Sequence, residues 1–388
     1  MNTKNLGVLI VVTIVVVVAA ISLTQTEVTP IEKGKLFPEL ATTIDQVKTV
    51  NVKTNAETVT MTRDENWNWK MQEKHNYPVE ADKVNSLLLA MTELTILEAK
   101  TSNSELYSKV GVDDVSAQNS SAVLLTLKTD SDTLTSLIIG NSQAAKIDST
   151  RNEIYVRKPE DKQVWLTLGK LSVETTLTDW LERQIVDMEN NKVHQVNISN
   201  GENISIFKAT PTDEEFQLAD LPVNGKIKTP YVLKNIATTL SNLEFDDVIA
   251  ADTLKLDFTT TAIFTTFDGL EVTMQVAKQD EKNYAIFAAK FNAEAVVADS
   301  KETEDDSKTD SEKEAEPDIN KQVADLNAKF AGWVYELSNY KVDDLAKTRE
   351  ELIEIEEPEE ELATPTTEVS ETPIISDELP IPFTLPSK

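Results

Sequence analysis

Val47-Lys-Thr-Val-Asn-Val52 and Val193-His-Gln-Val-Asn-Ile198 are the two stretches that decide the fold. Each alternates apolar and polar residues, the period-two signature of a strand with one buried face. Outward from the first, Val59 and Met61 continue the alternation, followed by Trp67 and Trp69. After Tyr77-Pro78 the period changes: Val84, Leu87, Leu88, Met91 and Leu94 are spaced for one face of a helix. Strand patterning returns at Ala122–Leu127, Leu134–Ile139, Glu153–Arg157 and Val164–Leu168, and a short helix is expected around Thr178–Ile185, with Thr178 or Asp179 as its cap.

Outward from the second stretch the same order recurs. Ile204–Phe207 matches Thr58–Met61, and Phe216 and Leu218 are set against Trp67 and Trp69. Thr229-Pro230 opens a helix running through Leu233, Ile236, Leu240 and Leu243. Ala262–Val276 supplies further strands, and Gly332–Leu337 parallels Gln163–Leu168. This predicts an α+β fold: an N-terminal transmembrane helix, then two tandem, duplicated units of mainly antiparallel sheet with one or two helices each. The expected divisions are 1–25 for a cytoplasmic tip and transmembrane anchor, 36–187 for the first unit, 188–348 for the second, and 349–388 for a disordered acidic Pro-rich tail. An acidic insertion at 299–318, with ten acids against three lysines and almost no apolar residue, is expected to be disordered. The tail ends in Leu379-Pro-Ile-Pro-Phe-Thr-Leu-Pro386, a short apolar run of the kind used in linear docking motifs.

Leu6–Leu23 is uncharged and as a helix would span roughly 27 Å, near the hydrocarbon thickness of a bilayer. A cleaved signal peptide is the alternative, although its apolar region is usually about 7–15 residues. Lys4 before the run favours a cytoplasmic N-terminus. The expected location is therefore the inner membrane, single-pass, with the C-terminal bulk in the periplasm.

The net charge of −30 provides no basic stripe to displace counterions from phosphates, so nucleic acid is not an expected partner. Zero cysteines exclude disulfides, thiol nucleophiles and thiolate metal sites. The two histidines, His75 and His194, have no partner at metal-ligand spacing, and no Gly-rich phosphate loop, GxSxG elbow or HExxH occurs. No catalytic, cofactor-binding or metal residue is assigned, and no cofactor is expected. Asp113-Asp114, Asp246-Asp247 and Asp343-Asp344 are read as turn or helix-start residues. Trp67 and Trp69, two apart on an expected strand, share a face; exposed they would form an interaction surface, buried they would be core.

Leu36–Leu40 (LFPEL), Tyr77–Leu94 (YPVEADKVNSLLLAMTEL), Leu97–Asp114, Leu137–Asn141 (LIIGN), Tyr155–Lys158 (YVRK), Gln163–Leu166 (QVWL) and Thr178–Arg183 (TDWLER), taken in order, resemble the domain-of-unknown-function family 4340. The resemblance covers about 36–187 well and the second unit more loosely. It implies a single-span membrane protein, often encoded beside ABC-type export components resembling those of gliding systems, and it carries no catalytic residue. The expected function is a non-enzymatic, membrane-anchored extracytoplasmic accessory subunit of an ABC-type transport complex, with the inner membrane and an ABC-type permease or related subunit as partners. The alternative is an envelope glycan or polymer binding module using Trp67 and Trp69.

Overall fold

The computed structural model describes residues 34–146, 148–229, 231–297 and 318–355. The first lobe contains β1 (Thr49–Lys53), β2 (Thr58–Arg63), β3 (Trp69–Met71), β4 (Tyr77–Pro78), helix α1 (Ala81–Glu93), β5 (Thr95–Thr101), β6 (Val123–Lys128), β7 (Thr133–Ala144), β8 (Asn152–Arg157) and β9 (Val164–Gly169). These strands form one antiparallel sheet in the order β4-β3-β2-β1-β6-β7-β8-β9-β5. Val50, Val52, Val59 and Met61 all point into the core, as their alternation requires. Helix α1 buries Val84, Leu87, Leu88 and Met91 and leaves its other side to solvent.

A connecting strand, β10 (Gln184–Val186), leads to the second lobe. That lobe contains β11 (Val193–Ser199), β12 (Asn203–Phe207), β13 (Gln217–Leu218), β14 (Gly225–Ile227), helix α2 (Val232–Ala237), β15 (Leu243–Glu244), β16 (Asp247–Ala250), β17 (Thr260–Thr266), β18 (Leu270–Gln279), β19 (Lys282–Phe291), helix α3 (Ile319–Phe330) and β20 (Trp333–Leu337). Its sheet runs β13-β12-β11-β17-β18-β19-β20-β16. Replacing each strand by its counterpart gives β3-β2-β1-β6-β7-β8-β9-β5, so the two sheets share one strand order.

The lobes are joined covalently and by packing. β10 pairs with β15 across the connection. Tyr77 of the first lobe inserts among Phe245, Trp333 and Tyr335 of the second, with ring centroids 5.4, 4.9 and 6.5 Å away in edge-on contacts. Lys74 pairs with Asp247, and Arg183 Nε donates to the Phe245 carbonyl at 3.1 Å. One buried hydrophobic cluster runs through both lobes.

Several expectations are corrected. Among the described residues no helix is long and apolar enough to cross a membrane. The longest, α1 with 13 residues, rises only about 20 Å and is amphipathic. The expected span Leu6–Leu23 lies outside the described residues. The fold class is thus corrected to a sheet-rich α+β protein without an established transmembrane helix, and the single-pass inner-membrane placement with a periplasmic bulk is withdrawn. Order also runs past the expected boundary at 348. Thr348 and Glu351 form a reciprocal capping box that starts a helical turn over Arg349–Leu352. Residues Ile353–Ile355 form β21, which pairs with β14. The expected insertion falls almost wholly on undescribed residues, but its last residue, Asp318, caps α3 by accepting from Asn320 N–H. Helix α2 is shorter than expected: Thr238 hydrogen-bonds back to the Lys234 carbonyl at 2.9 Å, and Asn242 turns the chain with a φ of 43°. The helix expected around Thr178–Ile185 shrinks to Leu177–Trp180, because the chain becomes extended at Leu181 and then enters β10.

A candidate docking site at the Trp67 turn

The turn between β2 and β3 carries a feature that packing alone does not explain. Arg63 and Trp69 face each other across the two strands. Between them Asp64 closes the chain into a tight loop. Its backbone N–H donates to the Asn68 carbonyl at 2.9 Å, and its carbonyl accepts from Trp67 N–H at 3.1 Å. Its carboxylate accepts from the N–H groups of Asn66 and Asn68 at 2.9 and 3.0 Å and pairs with Lys70 at 3.0 Å. The Asn68 N–H, then Lys70, hold this carboxyl below the ordinary range.

The loop forces Trp67 to a φ of 67°. A bulky residue in the left-handed region pays about 1–2 kcal/mol in steric strain. Trp67 nevertheless remains 62% exposed, whereas Trp69 is 3% exposed and belongs to the core. The two tryptophans thus do not share a face, correcting the reading of 67–69 as continuous strand: the Asp64 turn breaks the period. The matching in the second lobe is corrected as well. Met61 pairs with Met71 and Ile206 pairs with Leu218, so Trp69 corresponds to Phe216 and Trp67 has no counterpart on that strand.

The guanidinium carbon of Arg63 lies 3.9 Å from the Trp67 ring centroid and 5.6 Å from that of Trp69. One terminal nitrogen donates to the Asp45 carbonyl at 2.6 Å. The Nε–H is buried and has no acceptor among the described residues. Burial lowers the Arg63 pKa, with Asp45 opposing the shift, yet a guanidinium remains charged at neutral pH. Beside this cation opens a cavity of about 420 Å³ whose lining includes Ala41, Ile44, Asp45, Trp67, Leu88 and Leu89. Leu89 stands 59% exposed on the outer side of α1, facing the same opening.

The second lobe closes the equivalent corner. Lys208 N–H donates to the His194 carbonyl at 3.0 Å, as Arg63 N–H donates to the Lys48 carbonyl at 2.9 Å. Lys208 is only 1% exposed. Its ammonium donates to the carbonyls of Asn190 and Pro211 at 3.0 and 3.5 Å and lies 5.3 and 5.9 Å from the rings of Phe216 and Phe267. Desolvation lowers its pKa, with Asp213 opposing.

Neither histidine joins a site. His75 sits exposed in a turn with a φ of 53°, and His194 donates from Nδ1 to the Lys208 carbonyl at 2.9 Å. Asp246 accepts from Ser338 at 2.7 Å, Asp247 pairs with Lys74 across the lobes, and Asp344 pairs with Lys347 at 2.5 Å, so each of these acids has a structural partner. No group of three or more His, Asp or Glu among the described residues could hold a metal. The residues that sequence reasoning missed are Arg63 and Leu89. An arginine four and six residues before paired tryptophans, and a leucine off the buried stripe of α1, were the available signals.

Residues 69–261 match the family model described as "Domain of unknown function (DUF4340)". The match begins at Trp69, takes in α1 and strands β3 to β9 of the first sheet but not β1 and β2, and ends in β17 of the second lobe. Searches of curated proteins and of solved structures return no match. On the family model, the chain belongs to the DUF4340 family, whose description states no reaction, ligand or partner.

Proposed function

We propose that this protein is a non-enzymatic accessory subunit that docks a partner protein through the Trp67 groove, the partner being a permease or ATPase subunit of an ABC-type transport complex. The observation that carries the docking reading is Trp67 itself: exposed, strained, and held in place by a dedicated loop. Strain of this kind persists where the surrounding structure enforces it, and it clusters at functional positions. Tryptophan and arginine dominate the energetics of protein interfaces, and here they stack on each other at the rim of a cavity. The choice of an ABC-type partner follows from the family resemblance in the sequence. A photo-reactive residue at Leu89, in the full chain expressed in its own cell, tests both parts. Cross-links to a permease or ATPase subunit that vanish with Trp67→Ala support the proposal. Cross-links that persist unchanged with Trp67→Ala remove it.

The second reading is a glycan-binding platform, favoured by the exposure of Trp67. Leu89 argues against it, because a large exposed aliphatic beside the ring suits an apolar side chain better than a sugar hydroxyl. Titration with soluble peptidoglycan fragments, following Trp67 fluorescence, separates the readings: saturable quenching lost in Trp67→Phe would favour the glycan.

A further inference from the structure

The Trp67 groove presents two unmet needs side by side. Among the described residues the Arg63 Nε–H has no acceptor, and no apolar side chain covers the shelf formed by Trp67, Leu89 and Ile44. In the second lobe the corresponding cation is satisfied by the chain's own carbonyls and rings. The chain past Ile355 contains a segment with the complementary chemistry: Asp377-Glu378 followed at once by Leu379-Pro-Ile-Pro-Phe383. We propose that residues 377–383 dock in cis into the Trp67 groove and hold it closed until a partner displaces them. This regulation rests on the reading of the groove as a docking site.

Three arguments carry it. First, a carboxylate from Asp377 or Glu378 would pair with the Arg63 guanidinium, which lines the groove and is already fixed in position, a charge-assisted contact. Second, proline-rich segments dock on aromatic-lined grooves because little chain entropy remains to be lost, and Pro380 and Pro382 make this segment proline-rich. Leu379, Ile381 and Phe383 then supply the apolar cover. Third, the connecting chain is long. Twenty-one residues separate Ile355 from Asp377. Extended they span up to about 70 Å, and as a coil about 25 Å. Tethering at such a length gives an effective concentration on the order of 1 mM, so even a weak site is occupied.

A nearer groove exists at the chain's exit, bordered by Pro222, Ile353 and Ile355. It is the poorer host for an acidic segment. Glu202, Glu350 and Glu354 surround it, while its cations are engaged: Lys228 with the Glu350 carbonyl and Arg349 with the Ala219 carbonyl.

The test uses the full chain and reads the indole N–H resonance of Trp67, assigned with Trp67→Phe. The variant carries Leu379→Ala, Ile381→Ala and Phe383→Ala, which leaves the described core untouched. The expected result is a shifted Trp67 resonance in the variant, returned toward its original position by a synthetic peptide of residues 374–388. Partner binding should tighten about tenfold in the variant, the release of a tethered competitor. An unmoved Trp67 resonance overturns the proposal. If the resonance stays fixed while Trp67→Ala still abolishes partner binding, the tail is excluded and the docking site stands. If Trp67→Ala leaves partner binding intact, both fall together.

Discussion

At the end of β2 the first lobe places Arg63; at the matching point after β12 the second lobe places Lys208. Both cations keep the same backbone bond to the first strand of their sheet. Lys208 is then enclosed by Phe216, Phe267 and two carbonyls, whereas Arg63 is left between two tryptophans with an open cavity beside it. One strand order therefore supports a sealed corner and an open one. The difference teaches where to look for function in a repeated fold: at the copy in which a matching position is less satisfied than its twin.

The most severe test of the matching concerns the core. Trp69→Ala and Phe216→Ala occupy equivalent buried positions, so each should lose about 3–5 kcal/mol in urea unfolding. A large inequality would break the structural correspondence. Next in size, Lys208→Ala empties a sealed site and orphans carbonyls, at about 2–4 kcal/mol, while Arg63→Ala should cost about 1 kcal/mol. Equal costs would mean that the first corner is as closed as the second. Trp67→Gly should change stability by less than about 1 kcal/mol, because relief of left-handed strain offsets the lost contact with Arg63. Its partner binding should nevertheless disappear. The smallest effect is a pH dependence. Burial lowers the native Lys208 pKa below its ordinary value of 10.5. Between the native and unfolded values the unfolded chain binds more protons, so the Lys208 contribution to stability rises with pH through that window. Subtracting the stability curve of Lys208→Met from that of the wild type should therefore give a difference that climbs as pH approaches 10.5 from below; a flat difference would contradict the buried cation.

Much of the sheet could be read from period-two alternation, because Val50, Val52, Val59 and Met61 bury one face and their neighbours do not. The site was harder to see. Trp67 and Trp69 at a spacing of two imitate a strand, and only the carboxylate of Asp64, satisfying N–H groups at 66 and 68, reveals a turn. Helix α3 was hidden by the acidic run before it, although Ile319, Val323, Leu326 and Phe330 recur at helical spacing. Its Asn327 brackets the backbone of Ala289 with two hydrogen bonds of 2.9 and 2.7 Å, tying it to β19. Strand β21 escaped notice because glutamates surround its two isoleucines. Composition averages over a segment, whereas a capping box and a strand partner act residue by residue.

On the proposed function, the open corner of the first lobe, and not its sealed counterpart, engages a partner. The most direct measurement is the affinity of the full chain for a purified ABC-type permease–ATPase complex from the same cell, in wild type, Trp67→Ala and Asp213→Ala. Asp213 lies on the exposed loop beside the sealed corner, so its replacement serves as the matched control. Trp67→Ala is expected to abolish binding and Asp213→Ala to leave it unchanged. Equal binding by all three proteins, or loss confined to Asp213→Ala, would contradict the proposal.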